Sequence, residues 1–427
     1  MIKSSKRNIL MLFSNKTITI GLLILFCLSY IVMIVLSSLI SIRKTGQLVG
    51  NNDNYMGNFK IFTNDFYGEI VNGTTILYFY FIKVINLFFQ NIDYSFFLLN
   101  LISTLALVFL VYLTIKRFSF YKQKLPYVIL CLVFVFHIFN MKSYLKASND
   151  TFMGVFLALI IFLLYDIYNG NKTKWKFLLV GILFGLSATI RPTFILALPF
   201  MLIMLFIILK NENFKFAFVR VLGLFFLFLI TIFIFHYPSI TEKKELSFIN
   251  KNPKNGMNWV QRNYLGLSKI KEGKLPIHRD AIWKETPFSE VKSYLDENGK
   301  DSLPKGLIEF VQKDPLLYIG LLIYNFFTSL YELFRSFSFL IILPLIYIYK
   351  KRRLNFSLFF YLQILIVSAV CMTFLESRWL IGYQFLFLIG LIEIFNRMKN
   401  HRRIYLYLNL SVLTILLFNI RSIINIF

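Results

Sequence analysis

Acidic side chains, histidines and cysteines are all scarce in this sequence. Its 427 residues include 21 Asp and Glu against 46 Lys and Arg, with only 4 His and 3 Cys. Cys27, Cys131 and Cys371 all fall inside long apolar runs, which predicts core packing and argues for neither a disulfide framework nor a zinc site. The histidines show no ligand spacing, and no nucleotide-binding glycine loop lies on a predicted cytoplasmic segment, which argues against a cytoplasmic nucleotide-sugar synthase.

Long apolar runs dominate what is present. Hydrophobic residues make up 57% of the chain and mean hydropathy is +0.66. The runs recur at about 15 to 23 residues, the length needed to cross a hydrocarbon layer of roughly 30 Å. We therefore predict an all-α polytopic membrane protein with about eleven transmembrane helices and further interfacial helices in external loops. Most of the excess positive charge lies in short links between apolar runs, where it sets orientation, so no nucleic-acid partner is predicted.

The basic links orient the chain. The basic N-terminus is placed in the cytoplasm, and residues 18–40 form an apolar run too long for a signal-peptide core, so they predict an uncleaved first span. The alternation of links then puts the C-terminus outside. The bias towards Phe, Ile, Asn and Lys resembles AT-rich coding and suggests a bacterial inner membrane.

This orientation divides the chain into three predicted parts. Residues 1–237 form an N-terminal transmembrane module that contains a first external loop, 41–93, and a helical hairpin, 177–209. Residues 238–314 form an external subdomain, and residues 315–427 form an interfacial helix followed by a second transmembrane module. Residues 76–90 are amphipathic and are also expected to lie along the outer interface.

The predicted hairpin contains an arginine in an unusual place. Arg191 and Pro192 interrupt an apolar run. An ionised guanidinium at bilayer depth costs at least about 2.5 to 3.5 kcal/mol, and a proline breaks the helical hydrogen-bond ladder. Basic links on both sides of the run place both of its ends in the cytoplasm, so Arg191 is expected at the outer tip. A single long helix with a snorkelling arginine is the alternative.

Ionisable groups outside the cytoplasmic links gather on the predicted external face. Carboxylates beside fixed cations at a membrane boundary suit a reaction that takes a proton from a hydroxyl group while neutralising a phosphate. Ordinary external loops contain such groups as well, so a solvated or structural role is open for each. The set comprises Asp53, Asp65, Glu69, Lys142, Lys146, Asp150, Arg191, Glu376 and Arg378.

The arginine-containing run carries a family resemblance. Residues 181–202 read GILFGLSATIRPTFILALPFML, which resembles the G-x-x-x-G-L-x-x-x-x-R-P segment of the GT-C membrane glycosyltransferases. That group contains the protein O-mannosyltransferases and the aminoarabinose transferases. Further motifs follow the family order: Asp53-Asn54-Tyr55, Ser148-Asn149-Asp150, Lys313-Asp314-Pro315-Leu316-Leu317-Tyr318 and Glu376-Ser377-Arg378-Trp379. The sequence departs from the family pattern at Asn54, at Thr74-Thr75-Ile76-Leu77 and at Trp379.

The resemblance implies sugar transfer from a polyprenyl-phosphate donor to a glycan, lipid or protein acceptor on the external face. A phosphate leaving group needs no general acid when cations neutralise it, and arginine does this well. We assign this role to Arg191 and Arg378, with Lys146 and Tyr55 as further donor-phosphate candidates. Asp53 is the preferred general base and Asp65 the alternative.

Two carboxylates keep less specific roles. Asp150 and Glu376 are candidates for contacting the acceptor or for acting as a second carboxylate. Asp150 could also hold a divalent cation, but one such carboxylate is too little to predict a metal site or any other cofactor.

Two other functions remain open from the residues themselves. A polysaccharide polymerase or ligase also combines many spans, a large external loop and external arginines. A non-enzymatic sugar-lipid transporter is the third candidate, although no inverted repeat is detectable between the halves, as many secondary transporters would show.

Overall fold

The apolar runs fold into helices in the computed structural model. The structure describes residues 16–45, 47–50, 55–71, 75–119, 124–171, 173–191, 194, 198, 201–202, 205, 214–244, 257–351, 355–398 and 401–424. Within these ranges the regular structure is helical, and β-type pairing is limited to an isolated bridge between Gly50 and Lys146. The predicted all-α class is confirmed.

Nine α-helices are described in the N-terminal part of the chain. They are α1 (Lys16–Thr45), α2 (Tyr55–Asn64), α3 (Phe66–Val71), α4 (Ile76–Phe89), α5 (Ile92–Phe118), α6 (Leu125–Asn140), α7 (Asp150–Tyr168), α8 (Lys174–Ile190) and α9 (Phe214–Lys243). The second limb of the predicted hairpin, residues 193–209, lies mostly outside the described residues.

The remaining described helices form a polar group and a second apolar group. The polar group is α10 (Trp259–Lys271), α11 (Arg279–Glu285), α12 (Phe288–Asn298) and α13 (Leu307–Lys313). The apolar group is α14 (Pro315–Phe337), α15 (Phe339–Lys351), α16 (Phe356–Val370), α17 (Gln384–Arg397) and α18 (His401–Ile424). A short 3₁₀ helix, Ser377–Leu380, precedes α17.

Seven helices of the described residues are long and apolar enough to cross a membrane, or up to eight if one bent pair counts as a span. The bent pair is α15 with α16, whose axes differ by 119°. The polytopic membrane class is therefore confirmed. The eleven spans of the sequence prediction included α8 and α17, which have 17 and 14 residues, and residues that lie outside the described ranges.

Two helices differ from the sequence-based predictions: α9 in where it ends, and α14 in whether it could span a membrane. Helix α9 continues past residue 237, where the predicted N-terminal module ends, through Pro238 to Lys243. The hydroxyl of Thr241 donates to the carbonyl of Tyr237 at 3.0 Å, within the turn that follows this proline. Helix α14 passes the length and apolarity test for a span, although the sequence predicts an interfacial position for it.

The contacts of α14 connect the polar group, the loop after α16 and the end of α18. It begins at Pro315, where the Asp314 side chain accepts from the backbone N–H of Leu317 at 3.0 Å and also pairs with Lys271 of the polar group at 2.7 Å. In its middle, Asn325 bonds the loop after α16 through the backbone of Thr373 and Leu375, each at 2.9 Å. Near its end, Arg335 donates to Ser422 close to the end of α18 at 3.4 Å. Helix α14 thus runs across the ends of other helices.

Helices α7 and α8 form an antiparallel pair that is closed by ionic contacts at both ends. At one end Asp166 of α7 accepts from Lys176 of α8 and, at 3.1 Å, from Arg117 of α5. At the other end Asp150 of α7 forms an ion pair with Arg191, which directly follows α8. These contacts place Arg191 and the start of α7 at the same end of the bundle.

Helix α9 packs closely along α8 because α8 presents glycines to it. A Cβ atom at Gly185 would overlap the side chain of Thr231, and one at Gly181 would lie 3.0 Å from the Cβ of Leu227. Small residues four apart let membrane helices approach each other in this way. The two glycines of the family-like motif therefore serve helix packing.

The segment that carries Arg378 is held against α7 by a second close approach. A Cβ atom at Gly382 would lie 2.6 Å from the Cβ of Leu157 and 3.0 Å from the backbone of Gly154. We predict that Gly382→Ala lowers the free energy of unfolding by about 1 to 3 kcal/mol, because the added methyl group must push this segment away from α7. Thermal unfolding of the purified protein measures the change.

Gly320→Ala is the matched control for this substitution. Gly320 lies within α14 and has no neighbour within 4 Å of an added Cβ atom, so its replacement should be neutral or slightly stabilising. Equal unfolding temperatures for Gly382→Ala and the unmodified protein would contradict the packing argument.

Candidate functional site

The site is built around the buried carboxylate of Asp150, the first residue of α7. Its Oδ1 atom forms an ion pair with Nη1 of Arg191, and its Oδ2 atom forms an ion pair with Nη1 of Arg378 at 2.8 Å. An acidic residue in the first turn of a helix also interacts favourably with the helix dipole. One carboxylate therefore joins three elements: the start of α7, the end of α8 and the 3₁₀ helix before α17.

Arg191 reaches Asp150 because α8 ends at Ile190. The residue before a proline is disfavoured in helical geometry, and Arg191, which precedes Pro192, has φ −147° and ψ 111°. Its guanidinium lies over the ring of Trp379, with 5.1 Å from Cζ to the ring centroid. The Arg191 side chain remains 20% exposed, so it is the more accessible of the two arginines.

The side chain of Arg378 is more deeply buried than that of Arg191. It is 6% exposed, and the Nε atom of Arg378 donates to Glu376, which is two residues earlier. The two arginines and the two acids together have no net charge. Because a guanidinium carries five N–H donors, each arginine has the capacity to hold a carboxylate and to bind an oxygen of a ligand.

Asn149 connects the start of α2 to the end of α8 through its side chain. Its Oδ1 atom accepts from the hydroxyl of Tyr55 at 3.0 Å, and its Nδ2 atom donates to the carbonyl of Ile190 at 2.6 Å. This hydrogen bond holds Tyr55, a predicted phosphate-contacting residue, close to the site, because Asn149 directly precedes Asp150. The sequence analysis assigned no role to Asn149, although its position directly before Asp150 was a signal that could have indicated one.

Lys146 contributes to the same region through its backbone. The backbone N–H of Gly50 donates to the carbonyl of Leu145 at 2.9 Å, and the carbonyl of Gly50 accepts from Ala147 at 2.9 Å. Asn100 donates to the carbonyl of Lys146 at 2.7 Å. Gly50 and Tyr55, which lie on either side of residues 51–54 in the chain, are thus both hydrogen-bonded to the segment before Asp150.

Of the two predicted candidates for the general base, the structure describes one. Asp53 lies outside the described residues. Asp65 is exposed, and its carboxylate accepts from the backbone N–H of Gly68 at 2.9 Å, which caps the short helix α3. The described contacts give Asp65 a local structural role and do not bring it to Asp150.

Possible metal ligands are not clustered in the part of the chain that the structure describes. No group of three His, Cys, Asp or Glu side chains lies close enough there to hold a metal ion. In this region the carboxylates of Asp150 and Glu376 are instead neighbours of arginines.

The helical fold and the buried acid–arginine cluster define a polytopic membrane protein with a charged site at one end of its helix bundle. Residues 74–236 match the family model described as dolichyl-phosphate-mannose-protein mannosyltransferase, so this segment is similar to the GT-C type of glycosyltransferase domain. The resemblance seen in the sequence is confirmed, and the match implies glycosyltransferase activity. No curated protein and no solved structure matches the chain.

The matched segment extends from the beginning of α4 into α9, and it contains Lys146, Asn149, Asp150 and Arg191. Arg378 and Glu376 lie outside it but meet its residues in the folded chain. The charged site therefore joins the matched segment to the C-terminal part of the protein.

Proposed function

We propose that the protein transfers a sugar from a polyprenyl-phosphate donor to a hydroxyl group of an acceptor on the external face of the membrane. The observation that carries this proposal is the shared contact of Arg191 and Arg378 with Asp150 inside and beside the family-matched segment. Cell-envelope glycan or glycoconjugate synthesis is the process that this reaction would serve.

In the proposed reaction, the bond between the anomeric carbon of the sugar and the phosphate oxygen breaks. The electron pair leaves with polyprenyl phosphate, and the acceptor oxygen forms a new bond to the anomeric carbon from the opposite side. The proton of the acceptor hydroxyl passes to a carboxylate base. Configuration at the anomeric carbon is inverted, and no oxidant or further reactant is required.

The arginines are suited to the leaving group. Negative charge grows on the phosphate as the bond breaks, and donors fixed in a poorly hydrated site stabilise such charge strongly. Arg191 is the more exposed arginine and is proposed to contact the phosphate first, while the deeper Arg378 completes the contact. Asp150 then acts as a positioning residue that orients both guanidinium groups, and Lys146 remains a weaker phosphate candidate.

Asp53 is proposed as the base. It lies between Gly50 and Tyr55 in the chain, and both of these residues are bonded to the segment that precedes Asp150. A base must lie within hydrogen-bond reach of the hydroxyl from which it takes the proton. The bonding of the loop on both sides of residues 51–54 supports this assignment over Asp65.

The proposed orientation rests on the two ends of α7. Asp166 at one end lies with Lys176 and Arg117, which belong to basic links, while Asp150 lies at the opposite end. Cytoplasmic loops carry the excess of Lys and Arg in membrane proteins. This supports an external charged site, a cytoplasmic N-terminus and an external C-terminus. The bias towards Phe, Ile, Asn and Lys supports a bacterial inner membrane.

We predict that Asp53→Asn lowers sugar transfer by about 10²- to 10⁴-fold, because the amide cannot accept the proton. The measurement uses membrane vesicles that contain the protein and a panel of radiolabelled polyprenyl-phosphate sugars, with the glycoside product quantified. Protein abundance in the vesicles should not change. Asp65→Asn is the matched control and should retain transfer within a few-fold.

Loss of transfer in Asp65→Asn with normal transfer in Asp53→Asn would reverse the assignment of the base. Unchanged sugar transfer in both variants would contradict the proposal that either carboxylate acts as the base. Covalent glycoside formation by the reconstituted protein also separates the proposal from a transporter, which would exchange sugar-lipid across the membrane without product.

A further inference from the structure

Three asparagines are almost completely buried around the charged site. They are Asn100 of α5, Asn149 directly before α7 and Asn325 of α14, and their exposed fractions are 0%, 1% and 1%. A buried amide costs free energy unless its oxygen and its nitrogen are hydrogen-bonded. The partners of these three side chains therefore show what each asparagine does.

Asn325 holds the segment that carries Glu376 and Arg378. Its Nδ2 atom donates to the carbonyl of Thr373, and its Oδ1 atom accepts from the backbone N–H of Leu375, each at 2.9 Å. Glu376 follows directly and has an extended backbone, with φ −102° and ψ 134°. Buried main-chain groups outside a helical ladder must find other partners. The two hydrogen bonds of one amide therefore fix the direction in which the chain enters the 3₁₀ helix with Arg378.

Asn149 holds the segment that carries Arg191. The carbonyls in the last turn of a helix have no partner within that helix, and Ile190 is the last residue of α8. The Nδ2 atom of Asn149 donates to the carbonyl of Ile190 at 2.6 Å. Because Arg191 directly follows Ile190, this hydrogen bond fixes the point from which the Arg191 side chain begins.

Asn100 holds the segment that leads to Asp150. Its Nδ2 atom donates at 2.7 Å to the carbonyl of Lys146, which has an extended backbone with φ −126° and ψ 133°. The hydroxyl of Tyr78 lies 3.1 Å from Oδ1 of Asn100 and 2.9 Å from the carbonyl of Ser148. Two buried side chains of α4 and α5 thus fix the main chain that enters α7.

We propose that Asn100, Asn149 and Asn325 are positioning residues of the charged site, each of which fixes the main chain that carries one part of it. The inference rests on the proposed function, because it concerns the contact between the two arginines and the donor phosphate. The asparagines act through the charged side chains and do not touch the donor. A misplacement of about 1 Å costs about 10²-fold in rate. A purely structural role would instead lower stability and leave turnover unchanged.

Asn355 is the matched control for this inference. It is 3% exposed, its Nδ2 atom donates to the carbonyl of Gly390 at 3.1 Å, and its Oδ1 atom accepts from the backbone N–H of Ser357 at 2.9 Å. It also donates to Glu393, which accepts from Tyr165 near the end of α7. Asn355 therefore makes the same kind of main-chain contacts at the end of the bundle away from the charged site.

The test compares Asn325→Ala, Asn100→Ala and Asn355→Ala in lipid nanodiscs. The kinetic measurement is turnover, per folded molecule, of a radiolabelled polyprenyl-phosphate sugar, and hydrogen–deuterium exchange measures opening of the main chain. In Asn325→Ala, exchange of residues 373–380 should rise, kcat should fall about 10²-fold and KM should stay within a few-fold.

Asn100→Ala removes one main-chain hydrogen bond where Asn325→Ala removes two, so it disturbs folding less. In this variant exchange of residues 145–149 should rise and kcat should fall about tenfold. Asn355→Ala should raise exchange around its own position and keep kcat within a few-fold.

The outcomes separate positioning from a structural role and from the proposed function. Unchanged kcat in Asn325→Ala and Asn100→Ala with raised exchange overturns the inference, as does an equal loss of kcat in Asn355→Ala. Loss of kcat without a rise in exchange also overturns it, because the asparagine would then act on the reactants directly. Absence of donor turnover in the unmodified protein refutes the proposed function, whereas unchanged exchange in Asn325→Ala refutes the hold on residues 373–380.

Discussion

Asp150→Ala is expected to destabilise the protein by about 3 to 5 kcal/mol and to abolish sugar transfer. The substitution leaves Arg191 and Arg378 without the carboxylate that joins them, and the loss of one partner from a buried ionic group leaves uncompensated charge. The unfolding temperature of the purified protein and the transfer rate per folded molecule are the two measurements. Asp150→Asn keeps the shape of the side chain and tests the charge alone.

Asp166→Ala is the matched control for this prediction. Asp166 is also a buried acid on α7 with two basic partners, Lys176 and Arg117, but it lies at the other end of the helix. Its loss should destabilise the protein to a similar extent, while the molecules that remain folded keep their activity. If Asp150→Ala and Asp166→Ala reduce activity equally per folded molecule, Asp150 has no special relation to the reaction.

Arg191→Met should lower the rate of donor turnover by about 10² to 10³-fold with little loss of folded protein, since removal of one donor to a developing oxyanion has effects of that size. Part of the Arg191 side chain is exposed, so the substitution disturbs packing less than a change at Arg378 would. Release of polyprenyl phosphate from the donor is the measurement. Arg191→Lys should not restore the rate, because a lysine cannot form the bidentate contact of a guanidinium.

Arg117→Met provides the comparison for the arginine prediction. Arg117 also pairs with a buried aspartate of α7, at the end away from the proposed site, and its side chain is 54% exposed. It should retain turnover within a few-fold. Full activity of Arg191→Met would refute the assignment of Arg191 to the phosphate, even though the match of residues 74–236 to the family model would stand.

The ionic cluster changes the role given to Asp150. From the sequence, Asp150 was one of two carboxylates that could contact the acceptor. In the structure both oxygens of its carboxylate form ion pairs with arginines, so its proposed role is to orient them. In the proposed reaction the arginines contact the donor phosphate, and the proposed base is Asp53.

Local sequence rules were sufficient for several features. Apolar runs predict helices because every backbone polar group in a bilayer must be satisfied within its own segment or by a neighbour. The end of α8 at Ile190 follows from Pro192, which disfavours a helical Arg191. The helix Ile76–Phe89 was likewise expected from a local amphipathic pattern. These features depend on neighbours within a few positions of the chain.

The tertiary structure decided which of the charged groups that the sequence predicts on the external face form ion pairs. Asp150 and Arg378 are separated by more than two hundred residues, and no local pattern states that one carboxylate serves both Arg191 and Arg378. The hydrogen bond from Tyr55 to Asn149 and the hydrogen bonds between Asn325 and the loop after α16 also depend on how distant helices pack. Side-chain chemistry and hydropathy determined that this protein is a helical membrane protein. The packing of α7 against α8 and the 3₁₀ helix decided which charged groups pair, because the geometry of an ionic contact depends on the whole bundle.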